Sequence, residues 1–208
     1  VRLLSPCPPY TDCAGTRFGN AQPDCEGKCG GNIHHGDWNR NGMRTTEDVK
    51  GYITGILEKK SPALCTDLFA DGQLDIYDAA LLQECIQYGA KNEYWGLRFP
   101  CQFPGGLFNP GETVQLGLSG FNAASQTVVL TVMNPSEALV ALDFTLRGVE
   151  IERIESLVAG FTGEIQFNKE GRIVLLGTAE APIPVSKIPV ALLRIRYRRL
   201  TGEPVCLQ

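Results

Sequence analysis

Apolar residues follow two different rhythms along this chain. After Asp48, Val49, Tyr52, Ile53, Ile56 and Leu57 recur at intervals of three and four, which predicts a helix with one buried stripe. After Asp78, Ala79, Leu81, Leu82, Cys85 and Ile86 repeat that register. From Thr113 onward the rhythm changes to two. Val114, Leu116 and Leu118 alternate with Thr113, Gln115 and Gly117, and Val128, Leu130 and Val132 alternate with Thr127, Val129 and Thr131. Leu142, Phe144 and Leu146 do the same, and further short strands are expected over residues 150–157, 163–168, 172–178 and 190–198. Gly and Pro punctuate this half every ten residues or so, which excludes long helices. Short strands at that spacing predict an antiparallel β-sandwich.

These rhythms divide the chain. Residues 1–33 are rich in Gly, Pro, Asp, Asn and Cys and have no apolar period, so a loop-built segment held by disulfides is expected. Residues 34–90 form a small helical module, residues 91–112 a Pro- and Gly-rich connector, and residues 113–208 the sandwich. The expected fold is therefore multidomain, a small α module followed by an all-β sandwich of jelly-roll or Ig-like kind.

Within the module lies a repeated acidic loop. Asp37, Asn39, Asn41 and Asp48 occupy positions 1, 3, 5 and 12 of a twelve-residue run, with Gly42 at position 6. Calcium takes six to eight oxygen ligands, and short Asp and Asn side chains alternating along a tight loop can supply them. The Met43 carbonyl at position 7 would add another. Thirty residues later, Asp67, Asp71, Asp75 and Asp78 return at positions 1, 5, 9 and 12, with Gly72 at position 6 and Gln73 at position 7. Phe69 at position 3 offers no oxygen there. Ca2+ is the expected cofactor, one ion in the first loop and a second in the other.

A duplicated loop of this kind, closed by Asp and running into a helix, resembles a dockerin domain over residues 34–90. The resemblance implies partner contacts at Thr46 and Glu47 in the first repeat and at Ile76 and Tyr77 in the second. For Ile76 and Tyr77 the alternative is simple packing in the core. The 113–208 region resembles a cohesin, on Asn109-Pro110-Gly111-Glu112-Thr113-Val114, on Ala141 to Leu146 and on Pro189 to Tyr197; a generic Ig-like or carbohydrate-binding sandwich stays open. The N-terminal Thr11-Asp12-Cys13-Ala14-Gly15 and Pro23-Asp24-Cys25-Glu26-Gly27 resemble repeats of bacterial secreted and surface proteins, which implies a spacer.

Eight cysteines, Cys7, Cys13, Cys25, Cys29, Cys65, Cys85, Cys101 and Cys206, are an even set. They point to disulfides and an oxidising, extracellular compartment, with zinc as the competing reading. Suggested pairings are Cys65 with Cys85 and Cys206 with Cys101. No leader is visible at Val1, so the numbering is expected to begin at a mature N-terminus. No apolar run is long enough to span a bilayer as a helix.

A formal net charge of -4 argues against nucleic acid as a partner. Arg194, Arg196 and Arg198 share one strand face. They suggest either a solvated surface or a surface for an acidic partner, for which the module, with nine acids and five bases, is suited. The two histidines, His34 and His35, are adjacent, and no nucleophile–base pair or phosphate loop is visible, so an enzyme is not expected. A calcium-ordered plug and a socket on one chain predict head-to-tail assembly of copies into a filament. The alternatives are an adapter joining a separate cohesin- or dockerin-bearing partner to a cell-surface scaffold, and a carbohydrate-binding sandwich.

Overall fold

The computed structural model describes residues 11–16, 19–88, 101, 114–134, 136, 138–178 and 180–208. Cys7, most of the 91–112 connector and the residues 109–113 that carried part of the cohesin resemblance lie outside them. Two helices come first, α1 (Thr46–Leu57) and α2 (Ile76–Tyr88). Eight strands follow: β1 (Gln115–Asn122), β2 (Thr127–Asn134), β3 (Ala141–Arg147), β4 (Val149–Ser156), β5 (Glu164–Phe167), β6 (Arg172–Leu176), β7 (Ser186–Leu200) and β8 (Cys206–Leu207).

The strands form two four-stranded antiparallel sheets, ordered β1-β2-β7-β4 and β5-β6-β3-β8. Alternation explains the core between them. Val128, Leu130 and Val132 of β2, Phe144 and Leu146 of β3, and Leu193, Ile195 and Tyr197 of β7 all point inward and are buried. Their neighbours on β2 and β3 face outward, as a period of two requires, while on β7 a register shift beside Leu193 buries Leu192 in the same core.

β6 breaks this rule, because both of its faces are covered. Ile173 and Leu175 join the sandwich core. Val174 and Leu176 point the other way and join a second core, made of Val49, Tyr52, Ile53, Ile56 and Leu57 of α1, Ala79 to Leu82 of α2, and Leu68 and Leu74. Ala141 of β3 packs against the same cluster. The helical module is therefore seated on the outer face of the β5-β6-β3-β8 sheet of its own chain. An uninterrupted apolar run such as Ile173 to Leu176 is what a strand buried on both sides needs.

Polar contacts define the edge of this seat. A helix leaves its last carbonyls without intrahelical donors. At the end of α1 the sandwich supplies them: Arg172 Nη1 donates to the Ile56 carbonyl (2.6 Å) and Asn168 Nδ2 to the Leu57 carbonyl (2.8 Å). Arg172 is aimed by Asp143 of β3, which accepts from its Nε at 2.9 Å and its Nη2 at 2.5 Å. Lys59 and Glu170 form an exposed ion pair beside them.

The N-terminal segment is built on a twelve-residue repeat. The Asp12 carboxylate accepts from the N–H groups of Ala14, Thr16 and Ala21, and Asp24 accepts from Glu26 and Lys28 in the same way. Three disulfides join Cys13 to Cys29, Cys25 to Cys65 and Cys85 to Cys101. Both suggested pairings are thus overturned. Cys65 reaches back to the N-terminal segment, because residue 36 is hydrogen-bonded to the carbonyl of Cys65 and brings that segment alongside. Cys206 is a free, exposed thiol on β8, away from Cys101, which the end of α2 has taken.

Candidate functional site

The two acidic loops have the same conformation. Arg40 and Ala70, both at position 4, have φ of 62° and 61°, and Gly42 and Gly72 at position 6 have φ of 84° and 81°. L-residues with side chains rarely adopt the left-handed region, so Arg40 and Ala70 hold a strained turn, while glycine enters it freely. In both loops the first aspartate organises the turn. Asp37 accepts from the N–H of Asn41 (3.0 Å) and of Gly42 (2.7 Å), and Asp67 from those of Asp71 (3.2 Å) and Gly72 (2.9 Å).

The last aspartate closes each loop and starts its helix. Asp48 accepts from the backbone N–H of Asn39 and of Thr45, and from the Thr45 hydroxyl. Asp78 accepts from the N–H groups of Leu68, Phe69 and Asp75. A carboxylate in the first turn also meets the positive end of the helix dipole. Asn41 is placed by its own turn, with its side-chain oxygen accepting from Met43 N–H. Asn39 and Asn41 thus lie together with Asp37 and Asp48, and Asp71 lies with Asp67; the Gln73 N–H is bound to the Asp71 side chain.

Burial sets the electrostatics. Asp37 is 2% exposed, and Asp48 and Asp78 are fully buried. None of the ion pairs among the described residues involves these three or Asp67. Burial pushes the Asp78 carboxyl up to about 6, against the pull of its three backbone donors. Asp75 and Glu84 are raised by burial too. His35 is lowered by burial and by Arg44 nearby, and Arg44 is itself lowered by burial. Among the described residues, no three His, Cys, Asp or Glu side chains gather into a metal-ligand cluster.

Trp38, next to Asp37, fills a slot that sequence reading missed. Gly51 and Gly55 stand one turn apart on α1, and the indole lies against their bare backbone. A Cβ at residue 51 would lie 2.3 Å from Trp38 Cδ1. Tyr52 meets the same ring at a centroid distance of 5.3 Å. Gly51→Ala is expected to displace Trp38 and to cost about 1–3 kcal/mol by overpacking. A chemical melt followed by tryptophan emission tests this, and an unchanged midpoint would show that the slot has room to spare.

The predicted partner residues separate into different environments. Thr46 and Glu47 are exposed on the first turn of α1, with Glu47 paired to Lys50. Ile76 is half-buried against the module core, and the Tyr77 ring lies 5.4 Å from that of Phe69. Arg194, Arg196 and Arg198 lie exposed on β7, in the sheet that does not carry the module. The acids facing them are Glu155, Glu152 and Glu150 of β4, at 3.5, 3.3 and 3.6 Å, and Arg199 shares Glu150 at 2.6 Å. The stripe is a cross-strand ladder within one sheet, and its Arg198 end, with Arg199, lines a cleft shared with Leu57 and Glu58 at the end of α1. Exposed pairs of this kind contribute little to stability.

No protein-family profile matches the sequence, and no curated protein matches it. Solved structures that match include a non-cellulosomal cohesin from the hyperthermophilic archaeon Archaeoglobus fulgidus, at 13% identity and a TM-score of 0.29. That match covers 39% of this chain and 62% of the other. Another is CaCohA2 from Clostridium acetobutylicum, at 17% identity and a TM-score of 0.30, covering 42% of this chain and 65% of the other. The chain spans less than two thirds of each of these structures, and at such scores neither carries an argument about its function.

Proposed function

We propose that this chain is a non-enzymatic extracellular assembly protein, with a calcium-ordered module and a cohesin-like sandwich meeting at a defined joint. The observation that carries the reading is the seat of the module on the β5-β6-β3-β8 sheet. It combines an apolar centre, Val174 and Leu176, with donors that cap the end of α1. Calcium suits the loops because their buried carboxylates, Asp37, Asp48 and Asp78, take part in no close ion pair among the described residues, and a buried charge is costly unless a cation joins it. Asp37, Asn39, Asn41, the Met43 carbonyl and Asp48 would hold one ion. Asp67, Asp71, the Gln73 carbonyl and Asp78 would hold another. The ion would neutralise these charges and brace the first turn of each helix. Three disulfides suit an oxidising compartment. No helix among the described residues is long and apolar enough to cross a membrane.

In this chain the joint is closed on itself. The Cys85–Cys101 bridge leaves twelve residues, 102–113, between that tie and the sandwich. Twelve residues reach at most about 40 Å. So short a tether keeps the module at a high effective concentration beside its own sheet. Head-to-tail polymers therefore form by exchange, each module leaving its own sheet and seating on that of the next copy. Such a contact is heterologous and does not close by itself. The closed joint also favours a second reading, an adapter that stays monomeric and binds a different protein through its exposed surfaces.

Size exclusion with light scattering tests both. The protein is run in calcium, in chelator, and again after calcium is restored at high protein concentration. Species larger than one chain that appear on restoring calcium support exchange. A monomer at every step rejects the polymer and leaves the adapter.

A further inference from the structure

Asn41 and Gly42 form the one Asn-Gly step in this chain, and each other asparagine is followed by a residue with a side chain. An asparagine amide carbon lies within reach of the next residue's backbone nitrogen, and the two can close a five-membered ring. A glycine in second place has no Cβ to hinder that approach. Asn41 is exposed, at position 5 of the first loop. The sharp turn explains why glycine stands at residue 42. It does not explain why an amide precedes it, since the same position in the second loop is Asp71.

The hydrogen bonds of the turn serve the ring closure. Its nucleophile is the Gly42 nitrogen. That N–H donates to Asp37 Oδ2 at 2.7 Å, so the proton it must lose already has an acceptor. Asn41 Oδ1 accepts from the Met43 N–H at 2.8 Å, which stabilises the negative charge that gathers on this oxygen when Cγ is attacked. The Asn41 N–H is held by Asp37 Oδ1 and Asn39 Oδ1, at 3.0 and 3.1 Å, which fixes the backbone of the reacting residue. The second loop repeats two of these contacts, from Gly72 to Asp67 Oδ2 and from Gln73 to Asp71 Oδ1, both at 2.9 Å. Its position-5 side chain is a carboxylate, which has no ammonia to lose.

We propose that Asn41 is a self-modification site, at which the first loop deamidates. The Gly42 nitrogen bonds to Asn41 Cγ and passes its proton to Asp37 Oδ2. The Cγ–Nδ2 bond breaks, Nδ2 takes that proton back, and ammonia leaves. A succinimide remains, and solvent water opens it at either carbonyl, giving an aspartate or a β-linked isoaspartate. The aspartate product carries at position 5 the carboxylate that the second loop has in Asp71. The isoaspartate product adds a methylene to the backbone before Gly42, which displaces the Gly42 and Met43 N–H groups from the acceptors that hold the turn. The reaction stands apart from the calcium reading, in which an ion engages Asn41 Oδ1 and so protects the amide.

The test holds the full-length, disulfide-intact chain in warm neutral buffer with chelator and samples it by intact mass and peptide mapping. The chain should gain about one mass unit, confined to the peptide that holds residue 41 and split between aspartate and isoaspartate. Asn41→Gln should abolish the gain, because its ring closure needs a six-membered imide. Asp37→Asn should slow the gain by about 10-fold or more, the loss expected for a positioned proton acceptor. An Asp37→Asn chain that reacts as fast as wild type, or faster, would show that the turn restrains the amide, and would overturn the inference. A gain at another asparagine first, or none at residue 41, would overturn it without any variant. With calcium added, the wild-type rate should fall several-fold. An equal rate in calcium and in chelator would reject Asn41 as a ligand of the ion and leave the modification standing.

Discussion

A Val174→Asp chain should lose about 3–5 kcal/mol of stability, the cost of an unpaired charge in a dry contact. Val174 is fully buried, on the face of β6 turned to the module. Arg172, two residues back on the same face of β6, has its guanidinium already engaged by Asp143 and the Ile56 carbonyl. The new carboxylate would have to draw Arg172 away from the end of α1 or eject the module into water. The loss should also be local. Ile173 and Leu175 point into the sandwich and are untouched, so the two sheets should stay folded. Hydrogen exchange separates the outcomes. Amides of α1 and α2 should lose protection while those of β2 and β7 keep theirs. Ile173→Asp should do the reverse and expose the sandwich. Equal loss of protection everywhere in Val174→Asp would mean that module and sandwich fold as one unit, with no separable joint.

The second large effect concerns the Cys25–Cys65 bridge. It closes 40 residues of chain, including the whole first loop and α1. By the loop-entropy relation, removing it with Cys25→Ser and Cys65→Ser costs roughly 4 kcal/mol. The Cys13–Cys29 bridge closes 16 residues and should cost roughly 3 kcal/mol on the same relation. The module is small, and small units depend on such bonds because their cores are limited. Denaturant midpoints of the two double variants test the order. If the shorter bridge matters more, native packing around the N-terminal repeat, rather than restriction of the unfolded chain, controls stability there.

Much of the local structure was legible in the sequence. The twelve-residue spacing of Asp37 to Asp48, and its return at Asp67 to Asp78, located two turns and two helix starts. The reason is that the relevant hydrogen bonds join a side chain to backbone within about ten residues. Strand alternation in β2 and β3 was legible for a similar reason: the pleat forces the period, and one side faced a core.

The errors came from contacts between distant segments. Cysteine pairing is a matter of which segments lie side by side, and Cys65 was nearest in space to Cys25, forty residues away. For Arg194, Arg196 and Arg198 the sequence left two readings, a solvated face and a surface for an acidic partner, and it did not show that the adjacent strand brings Glu150, Glu152 and Glu155 to them. The largest omission was the joint. The unbroken Ile-Val-Leu-Leu run of β6 signals two covered faces, and it was taken as one more alternating strand.

The sequence by itself determined the loops, the helices that follow them and the inward faces of the strands, because each depends on neighbours within a turn or a pleat. Only the tertiary structure decided that the module sits on its own sandwich, with Arg172 reaching from β6 to the last carbonyls of α1. That contact joins residues 116 positions apart. Its energy comes from shape and desolvation between two preformed surfaces, and neither surface announces its partner in the order of its residues.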